Sequence, residues 1–155
     1  MKGGILMKVK ECMCTKVACV MLEDSISNVA KVMQSNKIGC VPVCDNQKQL
    51  CGIITDRDIV LRVVACDKDV NNTMASDIMT TDICTCTQDD EMTNAQSQME
   101  FNQIRRLPVC DNQNRVVGML TLGNLANNNE QIGKNQVATT LGNICNCQGQ
   151  VKNAK

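Results

Sequence analysis

Gly52-Ile53-Ile54-Thr55-Asp56-Arg57-Asp58 is the stretch whose residue types best suit chemistry. Two apolar residues run into a hydroxyl, and a carboxylate follows three positions later, where a strand would give way to a helix. The first turn of a helix offers N–H groups and partial positive charge that suit a phosphate, and the Thr55 hydroxyl adds a donor. Asp58, on the same face, presents two acceptor oxygens to a vicinal diol such as ribose. Together these describe a nucleoside-phosphate site. The same Thr-x-x-Asp spacing also writes a capping box, in which Thr55 accepts from the amide of residue 58 and Asp58 reaches back. Spacing alone leaves both readings open. Further on, Thr121-Leu122-Gly123-Asn124 keeps the hydroxyl but puts an amide where the carboxylate stood.

Sulfur is the second chemistry on offer, with 12 Cys and 10 Met. Cys12/Cys14, Cys84/Cys86 and Cys145/Cys147 are close pairs. On a strand that spacing points both thiols to one face, so Cys84 and Cys86 are expected to face the core together. Zinc sites more often join Cys-x2–4-Cys pairs to a partner pair or to His, and the chain has no His at all. No metal ligand set is therefore expected, and most thiols are expected to be buried as small hydrophobes. The pair Cys145/Cys147 is the candidate exception. The absence of His also removes the commonest general base, and no nucleophile–base pair is recognisable. No catalytic residue is expected.

The elements that position these residues come from a repeat. Sliding the sequence by 66 residues lays Pro42-Val43-Cys44-Asp45-Asn46-Gln47 on Pro108-Val109-Cys110-Asp111-Asn112-Gln113, and Met13, Asp24, Met33, Gly52 and Thr55 on identical residues. Within the first copy, Val17–Val20 reads as a strand and Asp24 or Ser25 as the cap of a helix with Ile26, Val29, Ala30 and Met33 inward. Residues 40–44 and 50–54 read as a hairpin, and 56–65 as a second helix with Ile59, Val60 and Val63 on its apolar side. The second copy reads as a strand over 83–86, a helix over 91–102, a hairpin over 107–120 and a helix after Thr121. The expected fold class is α+β: two β-α-β-β-α repeats related by a pseudo-twofold, with a short helical C-terminal tail. A unit of this size buries little surface alone, so the halves are expected to share a core and leave ligand clefts between them.

With these motifs in place, the chain resembles a tandem pair of cystathionine-β-synthase (CBS) domains. Gly52-Ile53-Ile54-Thr55-Asp56-Arg57-Asp58 after Ile38-Gly39-Cys40-Val41-Pro42-Val43 carries the likeness. So do Ile104-Arg105-Arg106-Leu107-Pro108-Val109 with Gly118-Met119-Leu120-Thr121, and the opening Asp77-Ile78-Met79-Thr80. The resemblance implies domains over 8–66 and 76–126, a linker over 67–75 and a tail over 127–155. It implies a regulatory module, not an enzyme, that binds an adenosine-type ligand: AMP, ADP, ATP or S-adenosylmethionine. By the same resemblance Thr55 and Asp58 fall on phosphate and ribose positions. Backbone at Thr15, Lys16, Val17 and Ala18 and at Gly39, Cys40 and Val41 falls where the adenine ring is held. Thr121 matches in the second copy, Asn124 replaces the ribose carboxylate, and Arg105 and Arg106 are candidate phosphate contacts.

Sixteen basic residues balance sixteen acidic ones, which gives no field for a nucleic-acid backbone. No stretch approaches a membrane span or a targeting segment, so a cytoplasmic protein is expected. A homodimer is expected, since apolar helix faces need cover, and a separate client protein is possible. The tail stripe Val137, Leu141 and Ile144 suits docking on the module, on a second copy or on a partner. Two rival functions stay open: a thiol-based metal- or redox-responsive protein, and a ligand-free dimerisation module.

Overall fold

The computed structural model describes residues 6–145, so Cys147 lies outside the described residues. The first repeat runs β1 (Val20–Met21), α1 (Ile26–Asn36), β2 (Cys40–Cys44), β3 (Leu50–Thr55) and α2 (Asp56–Arg62). A one-turn helix α3 (Ala75–Ile78) opens the second, followed by α4 (Met92–Asn102), β4 (Arg106–Cys110), β5 (Val116–Thr121) and α5 (Leu122–Asn127). The C-terminal region is helical: α6 (Asn129–Ile132) and α7 (Lys134–Ile144). The fold is mixed α+β, as the alternating and helical periods require.

In the first sheet β2 is central, parallel to β1 and antiparallel to β3. Burial alternates along β3, with Leu50, Gly52 and Ile54 inward. The duplicated Asp-Asn-Gln turn has a local cause. Asp45 Oδ1 accepts from the amides of Gln47 and Gln49 at 2.8 and 2.9 Å, and Asp111 Oδ1 does the same for Gln113 and Arg115 at 2.9 and 2.9 Å. Such side-chain-to-backbone bonds fix a turn more tightly than loop composition would.

Contacts group the chain into two compact units that do not follow the repeats. One comprises Lys16–Ile83 with Cys110–Val117; the other takes the chain up to Thr15, Cys84–Val109 and the part after Gly118. Each unit therefore contains the leading strap of the other repeat. In the first unit Ala75 and Ser76 donate to the carbonyls of Asp24 and Leu22 at 2.8 and 3.0 Å, and Thr80 bridges Ile53. Ala75 and Ile78 complete a core of Val20, Ile26, Val29, Met33, Val41, Val43, Ile54 and Val63. In the other unit Val9 and Lys10 donate to Asp90 and Gln88 at 3.0 and 2.9 Å, Cys14 bridges Met119, and Val9 is fully buried. The two glycines at these crossings have little room for a side chain. A Cβ on Gly52 would lie 2.9 Å from Met79 Cβ, and one on Gly118 would lie 2.6 Å from Met13 Sδ.

Several expectations need correction. The first strand is Val20–Met21 rather than 17–20. No strand forms over 83–86; a single parallel bridge, Cys86 to Val109, stands there. Exposed Thr87 occupies the place of half-buried Met21, which leaves less apolar surface to hold a second pair. Of the two candidate caps of α1, Ser25 takes the role, accepting from Asn28 N at 3.2 Å. Ala30 and Val60 face solvent. On α7 the buried positions are Thr140 and Ile144, and Leu141 is exposed. The cause is a polar ladder onto α4 that turns Thr140 inward. Gln136 Nε2 donates to Gln96 Oε1, Gln96 Nε2 to Thr140 Oγ1, Thr140 Oγ1 to Glu100 Oε1, and Asn143 Nδ2 to Glu100 Oε2, at 2.7–3.2 Å.

Helices α1 and α4 both end on a left-handed residue that is not glycine, Lys37 at φ 54° and Gln103 at φ 52°. A Cβ in that conformation costs roughly 1 kcal/mol. Lys37→Gly or Gln103→Gly is expected to raise the melting temperature by about 2–4 °C in a calorimetric scan.

Candidate nucleoside site on the first repeat

Strand β3 delivers Thr55 to the start of α2, and the capping box forms in full. Asp58 N donates to Thr55 Oγ1 at 3.1 Å, and Thr55 N donates to Asp58 Oδ2 at 2.9 Å. The Thr55 hydroxyl donates to the same Oδ2 at 2.9 Å. The remaining oxygen, Oδ1, faces Arg62 Nη2 at 3.4 Å. Arg62 in turn donates to the Ile78 carbonyl at 2.6 Å and to Thr80 Oγ1 at 3.2 Å, which ties the box to the strap.

Two segments named from the sequence meet here, Thr55–Asp58 and Gly39–Val41. Cys40 is the register partner of Thr55, and Asp56 N donates to the Gly39 carbonyl at 3.0 Å. Cys40 and Val41 are buried, so only their backbone and Gly39 can serve a ligand. Lys16, Val17 and Ala18 precede β1, whose register pairs Val20 with Val43 and Met21 with Cys44. Thr15 is exposed and directly precedes Lys16 in the chain.

The helix start is not an open anion cradle. The Asp56 amide serves Gly39, the Arg57 amide donates to Asp56 Oδ1 at 2.8 Å, and the Asp58 amide serves Thr55. Two carboxylates, Asp56 and Asp58, occupy the first turn. Backbone donors and positive end charge that would attract phosphate are already answered.

The second repeat forms the same box without charge. Thr121 N and Oγ1 donate to Asn124 Oδ1 at 2.9 and 2.8 Å, and Asn124 N donates to Thr121 Oγ1 at 3.1 Å. The position matching Arg62 is Asn128, whose Nδ2 donates to the Asn124 carbonyl at 2.8 Å and to Cys12 Sγ at 3.3 Å. An ion pair in one repeat is thus a neutral pair in the other, with two residues exchanged together. The sequence comparison of Asp58 with Asn124 missed this because Arg62 lies outside the motif; the signal was present at the same 66-residue offset. Arg105 is exposed, with its carbonyl accepting from Leu122 N at 2.9 Å and Nη2 donating to Cys145 Sγ at 3.3 Å. Arg106 is half-buried at the start of β4.

The thiols divide differently from expectation. Cys12, Cys40, Cys44, Cys86 and Cys110 are buried, but Cys14, Cys19, Cys66 and Cys145 are exposed and Cys51 and Cys84 intermediate. Cys84 meets the amides of Gln98 and Asn102 on α4 at 3.3 and 3.5 Å instead of joining Cys86 in the core, because no strand is there to align them. Among the described residues no three His, Cys, Asp or Glu side chains gather as a metal ion would need. A cavity of about 170 Å³ is lined by Leu6, Met92, Gln96, Gln131, Ile132 and Gln136, and by no residue of either box.

Comparison with known proteins agrees with this architecture. The family model described as CBS domain matches residues 9–65 and again 75–129. A CBS domain-containing protein of Bacillus subtilis, YhcV, is 38% identical over 136 residues, covering 88% of this chain and 94% of that protein. The crystal structure of Hypoxic Response Protein I with two coordinated zinc ions has TM-score 0.72 and 29% identity, over 78% of this chain and 98% of that one. The CBS domain pair of protein MJ0100, in complex with 5′-methylthioadenosine and S-adenosyl-L-methionine, has TM-score 0.69 and 28% identity, over 79% of this chain and 94% of that one. Two matched domains spanning most of the chain leave one assignment: this protein belongs to the CBS domain family.

Proposed function

We propose that the chain is a non-catalytic regulatory module whose first repeat binds an adenosine-type ligand. We further propose that the ligand is neutral or cationic at its 5′ end, as methylthioadenosine and S-adenosylmethionine are. The observation that carries this reading is the occupied first turn of α2: every leading amide is engaged, and Asp56 and Asp58 add two negative charges. A nucleotide phosphate would meet repulsion there, whereas a sulfonium would be attracted. Backbone at Gly39–Val41 and Lys16–Ala18 holds the adenine, and Asp58 Oδ1 accepts from the ribose diol in exchange for Arg62. Liganding of the related MJ0100 pair by this class supports the reading. The second repeat has the opposite balance, with Asn124 neutral and Arg105 and Arg106 close to the matching strand start, and a phosphate is better tolerated there.

Calorimetry on the full chain tests this. S-adenosylmethionine and methylthioadenosine are expected to bind at least tenfold more tightly than ATP, about 1.4 kcal/mol. ATP binding of equal strength would sink the charge argument. No turnover of any of them is expected.

Homodimerisation belongs to the same proposal. Val60, Leu61 and Val64 stand 54%, 49% and 60% exposed at the end of α2 and just beyond it, an apolar face on one helical side. A symmetric partner would cover it. Light scattering is expected to show a dimer at micromolar concentration, and Val64→Glu a monomer. A wild-type monomer would remove this part of the reading.

A further inference from the structure

The hairpins and the approach to β1 gather sulfur in the first unit. Cys44 ends β2 and is 2% exposed; Cys110, its counterpart in the second repeat, is 5% exposed; Cys51 is on β3. Cys19 stands one residue ahead of β1, which is parallel to β2, and it is exposed. Its thiol and that of Cys44 share a hydrogen bond. The second repeat has Thr85 at the position of Cys19, so this contact is unique to the first.

We propose that Cys19 and Cys44 are a redox pair that closes to a disulfide when the protein meets a hydroperoxide. The Cys19 thiolate attacks a peroxide oxygen, the O–O bond breaks, and the departing oxygen takes up a proton and leaves as water or alcohol. Cys19 is then a sulfenic acid. The Cys44 sulfur attacks the Cys19 sulfur, the S–O bond breaks, and the hydroxyl leaves as water with the Cys44 proton. Two electrons pass from the thiol pair to the peroxide, and a small dithiol returns them by exchange.

The roles are divided by environment. The S–H of Cys44 lowers the pKa of Cys19, against the opposing effect of partial burial and with help from the Lys48 ammonium. Cys44 is pushed strongly upward, first by that hydrogen bond and then by burial and the neighbouring sulfurs, so it keeps its proton until it acts. Cys110 is pushed up to about 11, mainly by burial, and is a poor competitor. An exposed attacking thiol beside a buried resolving thiol is the arrangement such chemistry needs. A disulfide also requires the two Cα atoms within about 7 Å. The β1–β2 register pairs Met21 with Cys44, so closing the bond draws the chain two residues earlier, at Cys19, toward the end of β2. The product would staple the approach to β1 onto the end of β2.

The test is stoichiometric hydrogen peroxide on the reduced full chain, alkylation of remaining thiols, and fragmentation mass spectrometry. The expected result is loss of two alkylatable thiols as a Cys19–Cys44 link, reversed by dithiothreitol. Cys19→Ser, at an exposed position, should abolish it. Cys44→Ala should leave Cys19 as a sulfenic acid that dimedone traps. If Cys44→Ala does not fold, the wild-type link and its loss in Cys19→Ser decide. Oxidation of exposed Cys14 and Cys66 while Cys19 stays reduced would overturn the proposal. So would a link from Cys19 to any other cysteine, or wild-type Cys19 over-oxidised beside an untouched Cys44.

Discussion

Gly52→Ala is expected to destabilise the protein by about 2 kcal/mol, although it adds a single methyl group. The new Cβ would lie 2.7 Å from Met79 Cγ and 2.9 Å from Met79 Cβ. Turning the thioether end cannot relieve a contact with Cβ, so β3 or the strap must shift. Gly118→Ala is the internal control. There the nearest atom is Met13 Sδ, the mobile end of its side chain, with the Cys14 carbonyl at 3.2 Å, and a cost of about 1 kcal/mol or less is expected. Met79→Ala should cost stability alone yet absorb part of the Gly52→Ala penalty in the double variant, since it removes Cγ and Sδ but keeps the Cβ at 2.9 Å, a coupling of about 1 kcal/mol. Urea denaturation measures all four. Additive costs for Gly52 and Met79 would show that this contact is not why glycine stands at 52.

Asp58→Ala is the second large effect, expected to weaken S-adenosylmethionine or methylthioadenosine binding by about 1–3 kcal/mol, roughly 5- to 150-fold. It removes the only charged acceptor of the box, and it also removes a cap and leaves Arg62 without its carboxylate. A stability loss of about 1 kcal/mol is therefore expected independently of any ligand. The informative variant is Asp58→Asn with Arg62→Asn, which reproduces the neutral pair of Asn124 and Asn128. It should retain most of the stability and still lose affinity. If it binds as tightly as the wild type, the carboxylate is a structural cap and the ribose is held elsewhere. Asn124→Ala should leave binding on the first repeat unchanged.

How much of this was readable beforehand follows from the range of each interaction. The hairpin turns were legible because Asp45 and Asp111 act within four residues. Helices α1 and α4 were legible because three buried apolar side chains at helical spacing mark each. The Thr55–Asp58 box was legible for the same reason, but whether the leading amides were open was not. The Asp56 amide finds its acceptor at Gly39, seventeen residues back and just ahead of β2. The straps were read as linker and domain opening, since a four-residue helix such as α3 is too short to show a period. The inward turn of Thr140 depended on Gln96 and Glu100, forty-odd residues away. The meeting of Cys19 with Cys44 likewise had no signature in spacing.

The exchanged straps also set an order of events during synthesis. The unit around β2 needs residues as far as Val117, and the other needs both Thr15 and Gly118 onward. Neither can finish when its own repeat leaves the ribosome, since the first must await Ala75, Ile78 and the tip of the β4–β5 hairpin. The amino-terminal strap can meet Gln88 and Asp90 earlier, but its Cys14 end waits until Met119 has been made. A chain cut near residue 66 is thus not half of a working protein but a unit missing part of its core. Folding is expected to close late and in one concerted step, with long-range contacts formed before either repeat is stable by itself.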